Sequence, residues 1–535
     1  MTNKISEALF VARTFRSAGV IRPARPDRAL RAVVGLRRWG PTLAAGYLGA
    51  AARYPDAPAV IDELGELSFA EVHARTNSLA RGLAANGIAE GDGVAVMCRN
   101  HRWFVEASIA CAKLGAHAVY LNTAFARPQV TEVVQRESPV AVIYDQEFEP
   151  LVQDALSGRS GFQGWRDDPG QAVHPALEDL IAAHPDRPLS PPSAPGRTVI
   201  LTSGTTGAPK GANRASPSSL TPAAALLSVI PLRARETTMI AAPLFHSWGF
   251  AHMFLSPALA STLTLRRRFD PEDTLRAVAE HRASALIVVP VMLQRILELS
   301  AETIRRHDCT SLRVIAASGS ALPGPLAQRV MDCFGEKLYN LYGSTEVSWA
   351  TIASPQDLRA APGTAGRVPR GTVVKILDSG RQELPPGRSG RIFVGSELLF
   401  EGYTGGGDKV RVGALMSTGD VGHFDRERRL FVDGRDDDMI VSGGENVFPS
   451  EVEDLLASVP GVREVAVVGV SDEEFGQRLR AFVALENGAV LDEQQLQAHV
   501  RSNLARYKVP REVVFVDQLP RNATGKILKR ELTRD

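Results

Sequence analysis

Thr202, Ser203, Gly204, Thr205, Thr206, Gly207 and Lys210 all fall within one run, Val199 to Gly211, reading VILTSGTTGAPKG. An apolar strand feeds a stretch of hydroxyls and glycines, and a lysine follows. Glycines let the main chain approach a polyphosphate and aim amide N–H groups at it. The hydroxyls add donors, and Lys210 adds a mobile positive charge. The pattern is not GxxxxGK followed by Ser or Thr, because the lysine is displaced and Gly211 follows it. A kinase or P-loop ATPase is therefore disfavoured.

Other segments carry groups suited to a nucleotide. Asn340 to Glu346 (NLYGSTE) follows an apolar strand pattern and holds Tyr342, Gly343, Thr345 and Glu346. Ala317 to Pro323 (ASGSALP) is a small-residue turn in which Gly319, Ser320 and Ala321 leave a flat slot for a purine. Ser417 to Asp420 (STGD) offers a carboxylate able to take both vicinal hydroxyls of a ribose. Arg435 stands in DGR, His246 and Trp248 in PLFHSWGF, and Lys526 in PRNATGKILKREL. Taken singly, Asp420 and Arg435 read equally well as surface-turn residues, and Lys526 as one more exposed lysine beside Lys529 and Arg530.

The run TSGTTGAPKG closely resembles the signature of the adenylate-forming enzymes, the family of acyl-CoA synthetases, adenylation domains and luciferases. The other segments stand in that family's order from about Ala51 to the C-terminus. The resemblance implies that Tyr342 and its neighbours face adenine, with Gly319, Ser320 and Ala321 flanking it. It puts Thr345 on the phosphates, Glu346 on Mg²⁺, Asp420 on the ribose and Arg435 on ribose or phosphate. His246 takes the place that gates the carboxylate pocket, and Trp248 lines or closes the acyl channel. Lys526 reaches the α-phosphate and the substrate carboxylate from a small domain that swings about a hinge at Asp437. Gly443 and Gly444 line the pantetheine path.

The implied co-substrates are ATP and coenzyme A, with Mg²⁺. The implied activity joins a medium- or long-chain fatty acid to coenzyme A through an acyl-adenylate, releasing AMP and pyrophosphate. TSGTTGAPKGANR together with GRDDDMIVSGGENVFP looks most like bacterial fatty acyl-CoA synthetases. The alternatives are an acyl-AMP ligase that loads a carrier protein and a ligase for aryl or other carboxylic acids. A non-catalytic binding protein is disfavoured, since Lys210, Glu346, Asp420, Arg435 and Lys526 are all present. The chain stops soon after the lysine motif, which favours a free thiol over an appended carrier domain.

These groups need rigid elements to hold them. From Ala51 to Val199 helical and strand patterns alternate: Leu67–Gly87 helix, Val94–Cys98 strand, Phe104–Leu114 helix, Ala116–Leu121 strand. The rhythm predicts a mostly parallel sheet covered by helices. It continues at Ala285–Val289, Arg313–Ala317 and Lys337–Tyr342. Past Gly363, Val373–Leu377, Gly390–Val394 and Arg429–Val432 predict a small β subdomain. Ser450 followed by Glu453 predicts a capped helix opening a last α+β module, with strands at Val462–Val470 and Arg480–Leu485 and a helix at Leu491–Leu504. The expected organisation is α/β: a leader over 1–50, a large domain over 51–435, a hinge at 436–437 and a small mobile domain over 438–535.

Composition sets limits. A chain of 535 residues with 44% apolar and 23% charged residues is ordinary for a folded, multi-domain protein. A net charge of +1 gives no bulk reason to bind nucleic acid. The four cysteines form neither a CxxC pair nor a zinc spacing, which fits a reduced, cytoplasmic setting. No apolar run is long enough to span a bilayer. The first 46 residues, however, hold nine basic residues against two acids, interleaved with apolar ones. Two readings of this leader stand side by side: peripheral contact with an anionic membrane face, or packing on its own domain.

Overall fold

The basic leader folds into three helices, α1 (Thr2–Ser17), α2 (Pro26–Trp39) and α3 (Leu43–Arg53). α3 is the embedded one: Leu43, Ala44, Ala45, Tyr47 and Ala50 are buried. Thr42 caps it by accepting the Ala45 N–H at 3.2 Å. The computed structural model describes residues 2–22, 25–168, 170, 173–202, 210–214, 219–404, 406–436, 439–442, 445–472, 476–522 and 525–533. Two units form, one from Met1–Ala316, Thr345–Ser348 and Glu397–Lys409, the other from Ala317–Ser344, Trp349–Ser396 and Val410–Asp535.

The first unit has strands β1 (Pro58–Asp62), β2 (Gly65–Ser68), β3 (Gly93–Met97), β4 (His117–Tyr120), β5 (Ala141–Tyr144) and β6 (Ser160–Gln163). It continues with β7 (Thr198–Thr202), β8 (Lys210–Arg214), β9 (Thr237–Ile240), β10 (Thr262–Leu265), β11 (Ala285–Val288) and β12 (Val314–Ala317). One sheet runs β6-β5-β3-β4-β7-β8, parallel except for β8. A second runs β12-β11-β9-β10-β1-β2, parallel from β11 to β1, with β2 antiparallel at its end. Continuous apolar runs such as Val94–Met97 and Ala285–Val288 are wholly buried, as strands covered on both faces require. Helices α4 (Phe69–Ala85) and α5 (Arg102–Leu114) stand where the periodicity puts them. Ser68 and Glu71 close a capping box at the start of α4, each accepting the other's backbone N–H.

In the second unit β13 (Leu338–Tyr342) pairs antiparallel with β14 (Thr351–Ala353). An antiparallel sheet follows, of β15 (Val373–Leu377), β16 (Gly390–Gly395), β17 (Arg411–Val412), β18 (Leu415–Phe424) and β19 (Leu430–Arg435). The C-terminal strands are β20 (Ile440–Ser442), β21 (Glu445–Val447), β22 (Val462–Asp472), β23 (Gly476–Leu485) and β24 (Glu512–Phe515), in the order β21-β20-β23-β22 with β24 parallel to β23. Val452, Leu456, Val467, Leu479, Val483 and Val500 form their core.

One element is added to the expected strands and one local expectation is corrected. Ser417–Asp420 lies in the middle of the ten-residue strand β18, where pairing with β16 and β19 overrides the turn propensity of Gly and Asp. Ser450 and Glu453 form no capping box. The helix Pro449–Ala457 starts on Pro449, with Phe448 in the cap position. Proline at the first helical position has its φ preset and has no N–H to cap. Ser450 then lies inside the helix and donates to the Asp433 carbonyl, and Glu453 accepts the Val467 N–H at 2.7 Å.

Candidate active site

Strand pairing in the second unit assembles the first polar group. β13 ends on Tyr342, and β18 and β19 set Asp420 opposite Arg435 as register partners. The Tyr342 hydroxyl donates to Asp420 Oδ2 at 2.5 Å, and an Arg435 guanidinium nitrogen lies 3.9 Å from Oδ1. Desolvation of the phenol, and then the charge of Asp420, push its ionisation well above the usual tyrosine range, so it stays a donor. The Asp420 N–H is held by Thr418 Oγ1 at 3.0 Å, which fixes the carboxylate's main chain. This is a half-buried carboxylate with an aromatic ring on one side and a cation on the other, suited to a diol beside a phosphate ester. Gly319, Ser320 and Ala321 form the turn after β12, with Gly319 and Ala321 exposed and Gly319 at φ +96°.

The second group lies in the first unit. Thr345 and Glu346 are buried. Glu346 Oε1 accepts the Tyr403 hydroxyl at 2.7 Å, and the Glu346 carbonyl accepts the Phe400 N–H at 2.8 Å. Tyr403 also carries Lys210 on its ring face, the ammonium 5.2 Å from the centroid. Lys210 opens β8 and its backbone pairs with Thr202, the last residue of β7. Gly211 lies tight against Thr404 and Glu137, where a Cβ would sit 2.5 Å from Thr404 Oγ1. Ser203, Gly204, Thr205, Thr206 and Gly207 lie outside the described residues, as do Asp437, Gly443 and Gly444. For Thr202 only the backbone is described.

A third group sits at the start of the helix Ser247–Leu259. His246 occupies its cap position, half-buried, with extended backbone. The approach to it is clamped by Asn100, whose amide donates to the Ala242 and Ile240 carbonyls at 2.9 and 3.3 Å and accepts the Leu244 N–H at 2.8 Å. A Cβ on Gly249 would collide with the Pro243 carbonyl, so the fold-back requires glycine there. Trp248 is buried and anchored: its indole N–H donates to the Val288 carbonyl at 3.1 Å. His252 meets it edge-on, centroids 4.3 Å apart, and shares Nδ1 with the Trp248 carbonyl at 3.1 Å. Phe250 and Phe254 line a small cleft of about 40 Å³ together with Ser108, Cys111 and Tyr120.

Lys526 is exposed on a tight turn in the second unit. Its N–H donates to Asn522 Oδ1 and its carbonyl accepts the Asn522 N–H, both at 2.9 Å. Gly525 supplies the φ of +78° that this turn needs. The backbone is pinned, and the residue is exposed.

For a metal, two donor sets compare differently. Cys98, His101 and Asp145 meet in the core of the first unit, though no sequence spacing announced them. Asp145 is already saturated, accepting His101 at 2.9 Å and the Arg99 and Trp165 N–H groups at 2.8 and 3.0 Å. Burial, and then the Asp145 charge, hold Cys98 as a thiol. This is a closed packing centre, not a cation site. Glu346 instead offers a hard carboxylate oxygen oriented by a phenol, the donor type that suits Mg²⁺.

Tyr403 and Asn100 escaped the sequence reading. Tyr403 had a weak signal, an aromatic residue just before Gly405-Gly406-Gly407. Asn100 had none beyond its place after an apolar strand.

Comparison with known proteins gives the family. The profile for AMP-binding enzymes matches residues 49–404, and that for the AMP-binding enzyme C-terminal domain matches residues 451–526. The chain is 32% identical to an indoleacetate–CoA ligase of Aromatoleum aromaticum, over 87% of this chain and 92% of that protein. It is 31% identical to the long-chain-fatty-acid–CoA ligase FadD13 of Mycobacterium tuberculosis, over 86% and 92%. Among solved structures, o-succinylbenzoate CoA synthetase of Bacillus subtilis, in complex with its acyl-adenylate intermediate, superposes with a TM-score of 0.78 at 27% identity, over 92% and 98%. With matches that span nearly its whole length, the chain belongs to the AMP-binding, adenylate-forming enzymes, in the class of AMP-forming acid–CoA ligases.

Proposed function

We propose that this protein activates a medium- or long-chain fatty acid with ATP and transfers the acyl group to coenzyme A. The observation that carries the adenylating half is the Tyr342–Asp420 bond flanked by Arg435. It supplies an aromatic face from the end of β13, a diol acceptor from the middle of β18 and a phosphate partner from the end of β19. In the first step a carboxylate oxygen of the acid attacks the α-phosphorus, and the bond to pyrophosphate breaks. In the second the coenzyme A sulfur attacks the acyl carbon, AMP leaves and the thiol proton is released.

Tyr342 and Asp420 are assigned the nucleoside, with Gly319, Ser320, Ala321 and Gly343 beside the adenine. Arg435 takes ribose or phosphate. Thr202 to Gly207, Lys210 and Thr345 take the phosphates, where fixed donors act on developing charge. Glu346 would hold Mg²⁺, which when bound neutralises phosphate oxygens and eases departure of pyrophosphate. His246, placed by Asn100, borders the acid's carboxylate, and Trp248 bounds the acyl chain. Lys526 offsets charge at the α-phosphate during adenylation. Asp437 serves as hinge, and Gly443 and Gly444 give the pantetheine arm a narrow path.

An aryl acid is the second reading, favoured by the Trp248–His252 edge contact and by the indoleacetate–CoA ligase among the matched relatives. A panel of short, long and aromatic acids, scored by pyrophosphate release with free coenzyme A, tests both. AMP formation with the longer aliphatic acids supports the first reading, and turnover confined to aromatic acids supports the second. ADP formation, or exchange without thioester on free coenzyme A, overturns the proposed reaction.

A further inference from the structure

α2 is built inside out. Its inward stripe is small: Ala32 and Gly35 lie against α3, and a Cβ on Gly35 would collide with Leu48. Its large apolar residues point to solvent instead, with Leu30 exposed by 64%, Val33 by 51% and Val34 by 43%. At 100° per residue these form one ridge, and Arg37 continues it into the last turn. Arg31 and Arg38, both exposed, flank it. Asp27, the helix's sole acid, pairs with Arg25 and Arg31 near the first turn. α1 repeats the theme, with Ile5 and Leu9 exposed ahead of Arg13 and Arg16.

The platform beneath is firm. α2 packs on α3, whose Tyr47 is fully buried against Phe69. Arg28 donates to the Arg53 carbonyl at 3.2 Å, Arg53 to the Val20 carbonyl at 2.9 Å, and the Ala234 N–H to the Ala18 carbonyl at 2.8 Å. The leader therefore both packs on its own unit and presents an apolar ridge edged by arginines. The remainder of the chain is net acidic, so the positive charge is concentrated here.

We propose that α2 docks on an anionic lipid bilayer, Leu30, Val33 and Val34 entering the headgroup–acyl boundary while Arg31, Arg37 and Arg38 meet anionic headgroups. Exposed branched side chains gain by leaving water, and guanidiniums gain beside lipid phosphates. A 14-residue helix lies on the surface rather than crossing it. Among the described residues no helix is long and apolar enough to span a membrane.

Cosedimentation of the full chain with vesicles tests this, using phosphatidylcholine mixed with phosphatidylglycerol against phosphatidylcholine alone. The protein should pellet with the anionic vesicles and stay soluble with the neutral ones, and raised salt should weaken the binding. Substituting Leu30→Ser, Val33→Ser and Val34→Ser together should lower partitioning by roughly tenfold or more, with pyrophosphate release from a soluble acid unchanged. Arg37→Glu with Arg38→Glu, at exposed positions, should also lower it and carries the test if the serine variant misfolds. Failure of the wild type to pellet with anionic vesicles, or wild-type binding by both variants, overturns the proposal. So does a solution dimer that the serine substitutions dissociate, because a second copy would then cover the ridge.

Discussion

Tyr403 donates its hydroxyl to the buried Glu346 carboxylate at 2.7 Å while its ring carries Lys210. One aromatic residue thereby orients both an anion and a cation. A hydrogen bond to a charged group contributes about 1.5–3 kcal/mol. Tyr403→Phe keeps the ring and removes that bond. Acid-dependent ATP–pyrophosphate exchange should fall on the order of tenfold to a hundredfold, and the Mg²⁺ concentration for half-maximal exchange should rise. An unshifted Mg²⁺ titration would show that Tyr403 does not orient a metal-binding carboxylate.

Asn100 bonds three backbone groups between Ile240 and Leu244. Asn100→Ala leaves buried amide and carbonyl groups without partners, and stability should drop by about 2–4 kcal/mol. Urea unfolding should show a lower midpoint at unchanged slope. The KM for the acid should also rise, since the path to His246 loses its clamp. A midpoint equal to the wild type's would remove the basis for both.

Lys526 is exposed on a pinned turn, remote in sequence from every other assigned group. Lys526→Ala should suppress acid-dependent exchange by about a hundredfold or more, yet leave thioester formation from supplied acyl-adenylate near the wild-type rate. Equal loss in both half-reactions would rule out a role confined to adenylation.

His252 is buried, and desolvation holds its imidazole down to about 4 from 6.5, although its bond to the Trp248 carbonyl opposes the shift. Below pH 6.5 the unfolded chain takes up a proton that the folded chain refuses. The stabilisation is therefore full above that pH and is lost as pH falls towards about 4. Its size is about 3 kcal/mol. His73, likewise held to about 4 by burial and then by the Lys113 charge, titrates in the same window, so a paired comparison is needed. His252→Phe should lose less unfolding free energy than the wild type across that range. Parallel curves would mean that His252 does not titrate as the fold implies.

The sequence made some of this plain and hid the rest for physical reasons. β3, β4, β11 and α4 were legible because apolar period and turn residues agree there with tertiary packing. β18 was not, because Ser417-Thr418-Gly419-Asp420 has turn composition and only its partners β16 and β19 make it a strand. The leader's charge was visible, but not its folding into helices or the inversion of α2, which depends on what α3 leaves room for. Tyr342, Glu346, Asp420 and Lys526 stood out as types in motifs. Asn100 and Tyr403 act through partners more than fifty residues away, a separation no local spacing encodes.

On the proposed assignment of Trp248 to the acyl chain, its indole bond to the Val288 carbonyl narrows how the substrate range can be altered. Exchanging Trp248 for a smaller ring would strand a buried main-chain acceptor, so that position resists tailoring by selection or by engineering. Phe250 and Phe254, on the same helix, line a small cleft and carry no such obligation. Selection for altered acid preference should therefore leave the tryptophan in place.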